Sequence, residues 1–107
     1  MLSAREIFEN RIAQKLSENA EKARAVGSVY EFELTGDQPE QWTVDLTRHE
    51  NFVSSGSSGR AQCIVSLSLT VLNEIIEKKL NPQMAFMTGK LKVKGNLALA
   101  LKLGSFL

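Results

Sequence analysis

The 107-residue chain has one cysteine, Cys63, and one histidine, His49, and so very little thiol or imidazole from which to build disulfides, metal sites or nucleophile–base pairs. A lone thiol cannot close an internal bridge, which fits a reducing compartment and makes the cytoplasm the expected location. His49 sits between Arg48 and Glu50 with no second His or Cys at ligand spacing, so no metal site is expected. Cys63 falls on the inward side of an alternating segment, where a thiol is inert, and that disfavours a Cys63–His49 catalytic pair. The stretch Gly56-Ser57-Ser58-Gly59 lacks the lysine and helix start of a phosphate-cradling loop, and no other cofactor motif is present. Glu31 and Glu33 alternate onto one strand face and are expected to meet solvent rather than to form a catalytic pair. No residue set supports an enzyme. Basic residues are few and the arginines scattered, which argues against nucleic acid as a partner. No run approaches the roughly 18 apolar residues of a membrane span; the richest, from Leu97 to Leu107, is broken by Lys102, Gly104 and Ser105. Met1 to Glu6 has no basic start leading into an apolar stretch, so no secretory signal is expected. Acidic residues are missing after Glu77, whereas Lys78, Lys79, Lys90, Lys92, Lys94 and Lys102 all fall in that stretch.

What is present reads as one α+β domain over residues 1–107, a length that supports a single core. Ser3 and Glu6 form a capping box ahead of Ile7, Phe8, Ile12, Leu16, Ala20 and Ala23, which recur at helical spacing; Gly27 supplies the stop. Strict alternation follows. Tyr30, Phe32 and Leu34 share one face, as do Trp42, Val44 and Leu46, and the turn residues Gly36 to Glu40 between them predict an antiparallel hairpin. A weak third strand is expected over 51–54, then a flexible loop over Ser54 to Gly59, then a fourth strand over 62–67 with Cys63, Val65 and Leu67 inward.

Thr70 is read as the cap of a helix reaching about Lys79, with Leu72, Ile75, Ile76 and Leu80 as its apolar positions. Asn81-Pro82 restarts a short helix carrying Met84, Phe86 and Met87, stopped by Gly89. Lys90 to Lys94 alternates as a fifth strand with its lysines outward, and Gly95-Asn96 turns the chain. The last segment alternates Leu97, Leu99, Leu101 and Leu103 with Ala98, Ala100 and Lys102, which by period alone is a strand. Leucine and alanine favour helix, no β-branched residue occurs and Asn96 is a good cap, so a helix is predicted. Such a helix is apolar around most of its circumference and must be buried or face something apolar that is not protein.

The run from Asn81 to Asn96, with Asn81-Pro82-Gln83, Ala85-Phe86, Gly89-Lys90-Leu91-Lys92 and Gly95-Asn96 in this order, resembles the sterol carrier protein 2 family. The leucine-rich segment with Lys102-Leu103, the strand Trp42-Thr43-Val44-Asp45 and the segment Ala61 to Val65 are similar to that family as well, so the resemblance covers nearly the whole chain. It implies a five-stranded, mostly antiparallel sheet with helices packed on one face. It also implies an apolar tunnel between the layers that binds fatty acid, fatty acyl-CoA, phospholipid or sterol without catalysis, with Gln83 near it. Two departures stand out. The ending Ser105-Phe106-Leu107 lacks the basic centre of the peroxisomal tripeptide found in many eukaryotic members. The chain also ends sooner after the leucine-rich helix than many members do, so the tunnel is expected to be open at one end or closed by another chain.

The residues suit a lipid. Each methylene taken from water contributes about 0.8 kcal/mol, so ten would gross about 8 kcal/mol before ordering costs. The expected lining from the middle of the chain is Leu72, Ile75, Ile76, Leu80, Gln83, Met84, Phe86 and Met87, the methionines being adaptable gap-fillers. From the last helix it is Leu97, Leu99, Ala100, Leu101, Leu103 and Phe106. Each of these residues taken singly also suits ordinary core packing; the excess from Leu72 to Phe106 as a group is what favours a cavity. Lys90, Lys92 and Lys94 share a strand face and are candidates for contact with lipid phosphate or an anionic membrane surface, against the plainer reading of a solvated face. An alternative function is a protein-interaction or homodimerisation module that uses the apolar C-terminal helix.

Overall fold

The alternating segments pair as strands and set the inner face of a mixed sheet. The computed structural model describes residues 1–37 and 39–107; Gln38, in the expected hairpin turn, lies outside the described residues. Strands β1 (Val29–Thr35), β2 (Glu40–Asp45), β3 (Val53–Ser55), β4 (Cys63–Ser68) and β5 (Leu91–Gly95) lie in the order β3-β2-β1-β4-β5. The β1–β2, β2–β3 and β4–β5 pairings are antiparallel, while β1 and β4 run parallel. Register aligns Trp42, Phe32, Val65 and Val93 in one inward row and Leu34, Leu67 and Leu91 in the next. β1 and β4 run parallel because the chain reaches the β3 edge before crossing back over the sheet to lay down β4, and the helices lie outside that crossover: before β1, between β4 and β5, and after β5.

On the outer face the glutamates behave differently from expectation. Glu31 is buried, not solvent-facing: the Ser54–Gly59 segment folds across the sheet, and Ser57 Oγ donates to Glu31 Oε1. The Thr43 hydroxyl donates to the Gly56 carbonyl oxygen at 2.7 Å and the Gly56 N–H to the Gln41 carbonyl oxygen at 2.7 Å. The expected flexible loop is therefore pinned, and its first residues, Ser54 and Ser55, belong to β3.

The Ser3–Glu6 capping box forms as read, with the Ser3 N–H donating to Glu6 Oε1 at 3.1 Å and the Glu6 N–H to Ser3 Oγ at 3.2 Å. The single helix expected after it is divided. Glu6–Ile12 winds as a π-helix, which brings Ile7 and Ile12, five apart, onto one buried side. It continues as α1 (Ala13–Glu18), and Asn19 interrupts it before α2 (Ala20–Val26): the Asn19 amide donates to the Lys15 carbonyl oxygen at 2.8 Å instead of leaving the helix ladder intact. Gly27 closes α2 at φ +60°, a left-handed stop. Phe8 stacks on Trp42 with ring centroids 5.1 Å apart and meets Phe32 edge-on at 5.1 Å, seating the first helix over the β1–β2 half of the sheet.

Helix α3 (Leu69–Ile76) starts two residues earlier than expected. Ser68, the last residue of β4, is extended and its hydroxyl accepts from the Val71 N–H at 3.1 Å, so Ser68 and not Thr70 is the cap. The helix stops at Ile76, short of Lys79, and Lys78 takes a left-handed φ of +64°. Asn81 caps α4 (Pro82–Met87) through Gln83 and Met84 N–H groups at 2.8 and 3.4 Å. Asn96 likewise caps α5 (Leu97–Leu103) through Ala98 and Leu99 at 2.9 and 3.3 Å, and a 3-10 turn over Gly104–Phe106 ends the helix before Leu107.

Candidate functional site

Helices α4 and α5 leave a gap over the β4–β5 half of the sheet. Helix α4 packs by its smallest side chain: Ala85 is buried, and the Lys90 N–H donates to its carbonyl oxygen at 2.9 Å. That close seat turns the larger neighbours outward or sideways, leaving Met84 52%, Phe86 39% and Met87 70% exposed. Helix α5 is held by Leu103, which is buried, and by the Tyr30 hydroxyl, which donates to the Leu99 carbonyl oxygen at 2.7 Å. Its Leu97 and Leu101 remain 44% and 57% exposed. A helix apolar on most sides has thus been placed with one stripe in the core and another at an opening.

Between these helices and the sheet lies a cavity of about 380 Å³, within the roughly 300–1,000 Å³ of small-molecule sites. Its floor is Phe32, Val65, Leu67, Leu91 and Val93, the inward rows of β1, β4 and β5. Its walls are Asn81, Pro82, Gln83 and Phe86 on one side and Leu97, Ala100, Leu101, Leu103, Gly104 and Leu107 on the other. The half-exposed Phe86, Leu97 and Leu101 mark the mouth. Among the described residues, the side chains with polar atoms on this lining are Asn81 and Gln83, both near the start of α4.

Of the residues singled out by sequence, Gln83, Phe86, Leu97, Ala100, Leu101 and Leu103 are thus brought together around the cavity. Leu72, Ile75 and Ile76 are buried in the core, Leu80 and Leu99 are half-buried against it, and Phe106 is buried beside Ile12 and Ile76 in a smaller hollow. Met84 and Met87 lie on the outer surface of α4. Lys92 and Lys94 project from edge strand β5 on the face opposite Leu91 and Val93, in register with Ser66 and Ile64, and Lys90 is exposed just before the strand. The sheet floor was not among the sequence candidates. Its signal was present, since the same alternation that places Val65, Leu67, Leu91 and Val93 inward also makes them the surface any enclosed ligand meets.

The titratable groups nearby are structural. Burial, with a smaller contribution from Cys63, pushes the Tyr30 hydroxyl up to about 12, so it stays a donor. Burial also raises the Cys63 thiol above its ordinary value. Among the described residues no group of three His, Cys, Asp or Glu side chains is placed to hold a metal ion. No helix of the described residues is long and apolar enough to cross a membrane.

The model of the SCP-2 sterol transfer family matches residues 9–107. The chain belongs to that family. A hydroxysteroid dehydrogenase-like protein 2 from Mus musculus is 44% identical over 84 residues, covering 78% of this chain and 17% of the relative. A sterol carrier protein 2 from Gallus gallus is 34% identical over 96 residues, covering 86% of this chain and 18% of the relative. The chain thus spans less than a fifth of the length of either protein. Among solved structures, palmitated SCP2L2 from Aedes aegypti superimposes with a TM-score of 0.79 at 28% identity, covering 97% of this chain and 93% of that one. The five-stranded mixed sheet with its helices is the fold of this family.

Proposed function

We propose that this domain binds a lipid in the cavity between the α4–α5 layer and the sheet, and carries it without catalysing a reaction. The observation that carries this reading is the cavity itself: an apolar hollow in the family's fold, at the position its own leucine-rich helix leaves unfilled. Removing an acyl chain from water is favourable at about 0.8 kcal/mol per methylene, and here Phe32, Val65, Val93 and Leu103 offer it apolar contact. The palmitate carried by the Aedes aegypti relative and the sterol in the family's name support fatty acid and sterol as ligand classes, and we propose fatty acyl-CoA and phospholipid alongside them because they bring the same apolar tail. The dehydrogenase likeness in the mouse relative's name belongs to a protein of which the matched segment is 17%, and we assign no such chemistry to this domain. Native mass spectrometry of gently purified protein tests the proposal. A lipid mass on the monomer, displaced by added palmitate, is the expected result; protein that neither arrives with lipid nor takes up palmitate overturns it.

Two finer proposals accompany it. Lys90, Lys92 and Lys94 are exposed at the β5 edge of the sheet, in a part of the chain without acidic side chains, and serve contact with an anionic membrane surface. Reversing all three to Glu should weaken binding to anionic vesicles, and unchanged binding would reduce them to a solvated face. The exposure of Leu97 and Leu101 favours a second reading, docking or homodimerisation through α5. A lipid-free dimer in the same mass spectra would select it.

A further inference from the structure

The main cavity adjoins a second hollow of about 290 Å³, and Asn81, Pro82, Gly104 and Leu107 line both. The remaining walls of the second are Ile75 of α3 and, just beyond that helix, Lys78 and Leu80. Lys78 brings no unpaired charge there, because its Nζ donates to an oxygen of Leu107 at 2.9 Å. With Ile75, Leu80 and Pro82 beside it, the hollow offers mainly hydrocarbon.

Gly104 stands out on the wall between the two. Every other glycine of the chain has a positive φ, whereas Gly104 has ordinary right-handed helical backbone, φ −54° and ψ −27°. Its conformation therefore does not call for glycine. What the missing side chain does is keep space free between the end of α5 and the start of α4. A Cβ at 104 would touch, beyond its own chain neighbours, only the Pro82 ring, Cγ at 3.7 Å and Cβ at 4.0 Å.

We infer that Gly104 sets the length of acyl chain this domain accepts, by keeping the wall thin enough for the tail of a long chain to pass Pro82 into the second hollow. This rests on the lipid-binding reading and deepens it to a ligand class, long unbranched acyl chains. The head group stays in water at the mouth beside Phe86, Leu97 and Leu101, and the far end of the tail meets Ile75 and Leu80. Each further methylene buried there raises affinity about fourfold.

The test measures binding of decanoate, myristate and stearate to the whole chain as wild type, Gly104→Leu and Leu80→Trp. Gly104→Leu closes the wall. Leu80→Trp fills the second hollow from its far side, and Leu80 does not line the main cavity. Wild type should bind stearate more tightly than decanoate. Each variant should lower stearate affinity about tenfold or more, the worth of roughly two buried methylenes, and leave decanoate as before. Equal losses for all three chains, or stearate affinity unchanged in Leu80→Trp, overturn the inference and leave the carrier intact. Stearate with an isotope-labelled terminal methyl gives a reading that needs no variant: on wild type it should show NMR contacts to the Ile75 and Leu80 methyls, and contacts confined to Val65 and Val93 overturn the inference as well. If wild-type protein binds none of the three, the carrier reading itself fails.

Discussion

The Tyr30 hydroxyl crosses from the central strand to the Leu99 carbonyl oxygen and ties the middle of α5 to the sheet. Removing it in Tyr30→Phe leaves the ring packing in place and strands a carbonyl beside the core. Urea unfolding should show a loss of about 1 kcal/mol, and amide exchange should quicken in α5 before other elements. Asp45 works at the other end of the sheet. Although burial opposes its charged form, hydrogen bonds from the Thr47 hydroxyl and N–H, with Arg60 Nη2 at 3.3 Å, hold its carboxyl below the usual range. A carboxylate with a depressed folded pKa adds stability that is full above the unfolded value, near 3.9, and is lost as pH falls through the folded one. Asp45→Asn should therefore cost about 1–2 kcal/mol at neutral pH, and its difference from wild type should shrink in melts taken below about pH 4. A difference that is constant with pH would contradict this assignment.

Element by element, caps and alternation were the most legible features. Ser3–Glu6, Asn81-Pro82 and Asn96 act as sequence reasoning expects, because each supplies a local hydrogen bond that depends on neighbours only. The helical reading of residues 97–103 held against their period-two pattern for the same reason: Asn96 and leucine propensity are local. Features set by distant partners were harder to read. The Asn19 break, the π winding near Phe8 and the burial of Glu31 under Ser57 depend on what lies across the fold. Gly95 joins β5 to α5 where a Cβ would come within 2.4 Å of the Gln62 carbonyl oxygen, at φ +98°. Gly95→Ala should thus destabilise by about 1–3 kcal/mol, whereas Asn96→Ala, which removes only a cap, should cost about 1 kcal/mol; thermal melts rank the two.

At the scale of the whole molecule, the sheet order and the parallel β1–β4 pair come from the chain's path, which no local pattern encodes; the family resemblance supplied the architecture. The candidate site was half legible. Sequence marked the apolar excess of α4 and α5, but which stripe faces the cavity depends on Ala85 and Leu103 being the residues that seat those helices. A domain built around an unfilled hollow gains stability from its ligand: at a hundred times its dissociation constant, palmitate should add about 2.7 kcal/mol to unfolding. The central claim, that an acyl chain lies between the helices and the sheet, is tested most directly by NMR contacts between bound palmitate and protein methyl groups. The account predicts cross-peaks from the chain to Val65 and Val93 on the sheet and to Leu97 and Leu101 on α5 in the same complex. Contacts confined to the exposed Met84 and Met87, with the sheet methyls silent at saturating palmitate, would contradict it.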